Sequence, residues 1–276
     1  MDTIKGKMND PGTVIPFTVV TLGLDDAALT ALARSGQGVP IVVVHGVMAD
    51  AFAWKQVAKD IAPERPVFLI NRRGRVPSAS LNETYGVETE VQDLLRWLAT
   101  VEGPVDLVGH SYGGLIAVEA IRQGANVRSL VLYEPVAYPF GVEALPLVTA
   151  AVSSGDLDAA VEIINVDLSG YDRAHVETLR SGPAWPKLME LAAPASAELL
   201  SINHFVFTAP GSWATPTTLI AGELSRNRPP YGPSVDMFLQ ALNVEGVTIL
   251  ADQDHLAHVT SPQDLAQAIN EGLATG

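Results

Sequence analysis

The sequence predicts an α/β fold: a mostly parallel, doubly wound sheet carrying a helical cap. Three features of the chain lead there. Short apolar, β-branched runs alternate with amphipathic helical stretches, that rhythm breaks once, over residues 137–212, and the sharpest strand-to-helix junction is rich in glycine. Short continuous apolar runs belong to strands buried on both faces, which crossover helices cover in parallel sheets.

Residues 14–22 read as a first strand. Residues 25–35 (DDAALTALARS) satisfy helix propensity and also weak strand alternation, so both assignments stay open. A strand over 41–44 precedes a helix over 52–61, where Phe52, Val57, Ala58 and Ile61 share a face. A strand over 67–70 precedes a helix over 87–99, with Val87, Val91, Leu94, Leu95 and Leu98 at helical spacing. The strand at 105–108 runs into a helix over 115–121, and 127–133 is the next strand. Strands at 217–221 and 247–250 complete the sheet. A helix over 264–273, opened by Ser261-Pro262, closes the chain, since proline suits the first helical turn. The interval 137–212 holds helical stretches at 142–152, 157–166 and 188–200, with a strand-like run only at 204–207. An insertion between sheet strands predicts a cap over the strand ends, where open α/β sheets place ligands. The expected organisation is a core of residues 1–136 and 213–276 with a cap of 137–212.

Composition narrows the chemistry. Lys and Arg number 17 against 31 Asp and Glu, a net charge of -14, in a chain that is 47% hydrophobic. An acidic surface argues against a phosphate-binding face and against docking on anionic lipid, so no nucleic acid or membrane partner is expected. With no cysteine, disulfides, thiolate metal sites and a cysteine nucleophile are excluded. No dinucleotide fingerprint, phosphate-cradling loop or metal-ligand histidine pair occurs, so neither cofactor nor metal is expected. No apolar run approaches the ~20 residues of a spanning helix. The opening MDTIKGKMNDPG leads into no secretory apolar stretch. The expectation is a cytoplasmic protein, monomer or homodimer, acting on a small-molecule substrate.

Gly109-His110-Ser111-Tyr112-Gly113 is a G-x-S-x-G pattern between an apolar strand and an apolar helix. The tight turn needs small flanking residues and leaves Ser111 above the positive end of the helix dipole. A capping serine would do no chemistry. A nucleophilic one needs a positioned imidazole to take its proton.

On this motif, on Val42-Val43-Val44-His45-Gly46 and on the segment from Asp254-His255 to Ser261-Pro262, the chain resembles α/β-hydrolase-fold enzymes along nearly its whole length. The resemblance implies Ser111 as nucleophile, His255 as base, and an oxyanion hole from the backbone N–H groups of Val47 and Tyr112. His258 is the alternative base, and Asp254 stands where relatives mostly carry glycine. Relatives usually carry an aspartate three residues after the glycine ending the seventh strand, a place held here by Ser225. A sub-group instead places the acid after the sixth strand, where Glu134 stands 23 residues beyond Ser111. An acid ending an apolar strand is costly to bury unless paired, as with an imidazole N–H. Glu223, Asp252 and Asp254 are lesser candidates.

In the cap, His204, Trp185, Met189 and Phe205 are the candidate substrate contacts. His45, His110 and His175 read as structural, and so does Arg72-Arg73-Gly74-Arg75, with a grip on an acidic substrate group as its alternative. The implied activity is hydrolysis of a small, fairly apolar ester or lactone through an acyl-enzyme. The rivals are a carbon–carbon bond hydrolase, a ligand receptor without turnover, and a lyase-type or cofactor-free oxygenase relative using His255 alone.

Overall fold

The computed structural model describes residues 16–24 and 28–274. Its strands are β1 (Thr18–Gly23), β2 (Ala28–Arg34), β3 (Ile41–Val44), β4 (Val67–Asn71), β5 (Val105–His110), β6 (Val127–Tyr133), β7 (Thr217–Gly222) and β8 (Val247–Leu250). They form one sheet in the order β1-β2-β4-β3-β5-β6-β7-β8. The β1–β2 and β2–β4 pairs are antiparallel and the others parallel. From β3 the chain goes to β4 on one side and then to β5 on the other. The loops leaving β3 and β5 therefore face each other across the crevice where such sheets bind ligands.

Of the open N-terminal segment, 28–34 is a strand and not a helix. It bonds to β1 along one edge and β4 along the other, and that pairing overrides helix propensity. The remainder of that segment up to Ala27, and Val14 and Ile15 of the expected first strand, lie outside the described residues.

Helices α1 (Lys55–Asp60), α2 (Val87–Leu98) and α3 (Tyr112–Arg122) follow β3, β4 and β5. Between β6 and β7 come α4 (Leu145–Ser154), α5 (Leu157–Ile163) with a π-helical turn at Ile164–Leu168, α6 (Arg173–Arg180), α7 (Trp185–Ala192) and α8 (Ala195–His204). The single helix expected over 188–200 is two helices, because Pro194 starts a new one. The strand-like run at 204–207 is the end of α8 and an irregular segment. Beyond β7 lie α9 (Glu223–Arg226), α10 (Tyr231–Ala241), α11 (Ala257–Thr260) and α12 (Pro262–Ala274).

The two faces of the sheet are covered separately. Leu94 of α2, Leu115 of α3 and Phe238 of α10 belong to one apolar cluster, and Val57 of α1 and Ile269 of α12 to the other. In the insertion, Ala160, Val161, Val176 and Trp185 form a small core of their own, while Phe140, Val148, Leu199 and Ile202 join the first cluster. Among the described residues no helix is long and apolar enough to cross a membrane.

Helix α3 can lie against β3 only because residue 113 has no side chain. A Cβ on Gly113 would stand 2.1 Å from the Val44 carbonyl oxygen. Gly113→Ala should therefore cost roughly 2–3 kcal/mol, lowering the melting temperature by about 4–10 °C. Gly246→Ala, where a Cβ meets nothing within 4 Å, should shift stability by less than about 0.5 kcal/mol. Equal melting temperatures for the two variants would refute the close-approach argument.

Candidate active site

Ser111 caps α3 with φ 55° and ψ -124°, a strained backbone for a residue with a side chain. Neighbouring bonds hold it there: its N–H donates to the Tyr133 carbonyl at 3.0 Å, and its own carbonyl accepts from Gly114 at 2.9 Å and Val136 at 3.3 Å. The loop after β3 passes directly over it, since a Cβ on Gly46 would stand 2.6 Å from the Ser111 Cβ. The N–H groups of Val47 and Tyr112 donate to no protein acceptor among the described residues.

Glu134 directly follows β6, with a positive φ of 42° and no solvent exposure. A carboxylate buried to that degree must be fully hydrogen-bonded. Its Oε1 accepts from the Gly222 N–H at 2.8 Å and from the Ser225 hydroxyl, and its Oε2 accepts from His255 Nδ1 at 2.7 Å. Donation from Nδ1 leaves the lone pair of a neutral His255 on Nε2, the nitrogen a general base uses.

Rings fix the plane of His255. Tyr231 stacks on it at 4.0 Å and His110 lies 4.5 Å away on a tilt. His110 donates from Nε2 to the His255 carbonyl at 3.1 Å. Trp54 and His258 pack on His110, and burial, then the neighbouring imidazole of His255, pushes His258 down to about 3. The same two causes, burial first, hold His110 well below the usual histidine range. Ser111 and His255 share no hydrogen bond among the described residues. Such bonds often tighten only when substrate binds.

Ser225 and the Gly222 N–H are the functional groups that sequence reasoning missed. Ser225 cannot act as an anion, yet it supplies a donor to the acid that stands elsewhere. A hydroxyl at the family's usual acid position, read together with Glu134, is the signal that could have found it. Asp254, the departure from glycine, accepts from Leu256 N–H at 2.8 Å and from Tyr171 OH at 2.8 Å, tying the His255 loop to the insertion.

A cleft of about 320 Å³ opens beside His255, lined by Tyr171, His175, Ser225, Arg228, Tyr231 and Asp254 among others. None of the four expected cap contacts lines it. Trp185 is in the insertion's own core, donating to Asp158 at 2.9 Å, and Met189 packs against that core. His204 and Phe205 line a separate groove with Tyr85 and Val87 at the start of α2. Helical phase turns these side chains inward or toward α2, which membership of the insertion alone could not reveal.

The arginine loop turns its side chains to protein partners. Arg72 donates from Nε to the His45 carbonyl and from Nη2 to the Gly46 carbonyl, both at 2.9 Å. Arg73 pairs with Asp93, and Arg75 with Glu198.

The sequence model of the alpha/beta hydrolase family matches residues 41–268. The chain belongs to that family. Over 273 aligned residues it is 23% identical to (E)-2-((N-methylformamido)methylene)succinate hydrolase of Acinetobacter baylyi, covering 92% of this chain and 98% of that protein. A shorter match of 95 residues, 30% identical, covers 34% of this chain and only 10% of an inactive atromentin synthetase of Paxillus involutus. An alpha/beta hydrolase from Sphaerobacter thermophilus superposes with a TM-score of 0.73 at 21% identity, covering 92% of this chain and 100% of that one.

The depressed histidines give the alpha/beta hydrolase a signed acid response. Between pH 6.5 and about 3 the unfolded chain binds a proton at residue 258 that the folded state refuses. Stability therefore falls as pH falls through that window, by about 1.4 kcal/mol per pH unit for this histidine. His258→Phe should flatten the decline measured by urea unfolding between pH 6 and 4. An unchanged slope would refute the assignment.

Proposed function

We propose that this alpha/beta hydrolase cleaves a small, fairly apolar ester or lactone through an acyl-enzyme. One observation carries the reading: Glu134 bonded to His255 Nδ1, with the imidazole packed against His110, the residue that precedes the strained Ser111. Ser111 Oγ attacks the carbonyl carbon as His255 Nε2 takes its proton, and His255 then returns that proton to the leaving oxygen. Glu134 holds the ring in one tautomer and stabilises the imidazolium. The free N–H groups of Val47 and Tyr112 receive the oxyanion, each worth roughly 3 kcal/mol in the transition state. Water activated by the same histidine releases the acid.

The cleft of about 320 Å³, which reaches His255 and Ser225 with Ser111 outside its lining, is near the lower end of ligand-site volumes and supports a small substrate. Tyr231, stacked on His255 and edge-on to Phe140 at 5.6 Å, supports an apolar wall. Residues 137–212 act as the cap in this reading. The name of the A. baylyi relative, a hydrolase of a succinate derivative, favours including carboxylate-bearing acyl groups among the substrates assayed.

Intact-mass analysis after treatment with a small fluorophosphonate tests the reading. Wild type should gain one adduct and Ser111→Ala none. An adduct on Ser111→Ala, or none on folded wild type, would overturn it. On an ester that wild type turns over, His255→Ala should lose about as much activity as Ser111→Ala, because the members act as a unit. Glu134→Gln should lose less than either but on the order of 100-fold, since an amide N–H would face the existing donors. Ser225→Ala should lower kcat by roughly 3–10-fold through one lost donor. Full activity in Glu134→Gln would refute the acid assignment.

A further inference from the structure

Peptide planarity makes the Gly46 carbonyl and the Val47 N–H opposite ends of one rigid unit. Whatever holds that carbonyl aims that N–H. Two donors hold it, His45 Nδ1 at 2.9 Å and Arg72 Nη2 at 2.9 Å. The guanidinium also bonds the preceding carbonyl, of His45, through Nε at 2.9 Å. One planar fork thus grips two successive peptides, a geometry lysine cannot reproduce.

Arg72 is itself held on every side. Its Nη1 meets Glu90 at 2.7 Å, its Nη2 meets Glu198 at 2.6 Å, and its guanidinium lies 4.9 Å from the centre of the Tyr112 ring. Arg75 grips the same Glu198 carboxylate at 2.5 and 2.8 Å. Two guanidinium groups and two carboxylates balance, all but excluded from solvent. Burial works against the charge of Arg72, but Glu198 and Glu90 outweigh it. Burial, then Arg72 and Arg75, hold His45 far below the usual histidine range, so it stays neutral with its proton on Nδ1.

We propose that Arg72 is a positioning residue for the oxyanion hole: clamped by Glu90 of α2 and Glu198 of α8, its fork locks the Gly46–Val47 peptide with the N–H presented to Ser111. The inference rests on the serine-hydrolase reading above. By it, the helical insertion contributes to the chemical step through Glu198, besides covering the strand ends.

Two variants test it. Arg72→Lys keeps the charge and loses the fork. Arg72→Met combined with Glu90→Gln removes one charge of each sign and leaves the Arg75–Glu198 pair intact. Each is assayed for p-nitrophenyl acetate turnover, for the rate of fluorophosphonate labelling and for melting temperature. A displaced oxyanion donor should lower kcat and the labelling rate together by about 10–100-fold. KM should stay within threefold and the acid limb of the pH profile should keep its midpoint, because His255 and Glu134 are untouched. Folded double variant with kcat and labelling within twofold of wild type would overturn the inference, as would a loss accompanied by a shifted acid limb. If the double variant fails to fold, Arg72→Lys carries the same test. Folded wild type that takes no label overturns the serine-hydrolase reading itself, and this inference with it.

Discussion

A carboxylate with no solvent exposure ties three parts of this chain together. Glu134 directly follows β6, its Oε1 bonds reach Gly222 at the end of β7 and Ser225 just beyond it, and its Oε2 bond reaches His255 beyond β8. An uncompensated charge at that depth would cost several kcal/mol. The carboxylate is tolerable only while all three donors stay in register. That requirement fixes the relative positions of three adjacent strand ends, and it sets the tautomer of His255 as a by-product.

The other half of the site depends on missing side chains. Gly46 lies against Ser111, Gly113 against the Val44 and His45 carbonyls, and Gly114 against Pro135. With these contacts the loop after β3 and the start of α3 come close together, and the N–H groups of Val47 and Tyr112 have no protein acceptor among the described residues. Backbone strain at Ser111, of order 1–3 kcal/mol, is offset by the bonds its peptide groups make to β6. Buried charge then supports this half as it supports the first, with the Arg72, Arg75, Glu90 and Glu198 quartet behind the loop in place of Glu134 behind the histidine.

Much of this arrangement was legible in the sequence, for identifiable reasons. The parallel strands are short, apolar and β-branched, so their type follows from burial on both faces. The G-x-S-x-G turn and the histidine segment are local patterns whose spacing is set by the turn itself. Glu134 could be proposed because an acid at an apolar strand end demands a partner. Ser225 was missed because its role is to donate to a residue 91 positions away, and nothing near it in the chain indicates that acceptor. Where the expected cap contacts lie was not legible for a similar reason: Trp185 faces Asp158 and Arg180, and His204 faces the start of α2, according to a helical phase that composition does not reveal.

By itself the sequence determined the alternation of strands and helices, the G-x-S-x-G turn between a strand and a helix, and the place of the insertion. Each is a property of neighbouring residues, expressed through periodicity, propensity or turn chemistry. Only the tertiary structure decided that 28–34 pairs as a strand, that Arg72 and Arg75 serve buried carboxylates, and that Ser225 completes the surroundings of Glu134. Those outcomes depend on partners distant in the chain, since a hydrogen bond or ion pair is specified by distance and direction in space. Sequence order constrains neither for residues far apart in the chain.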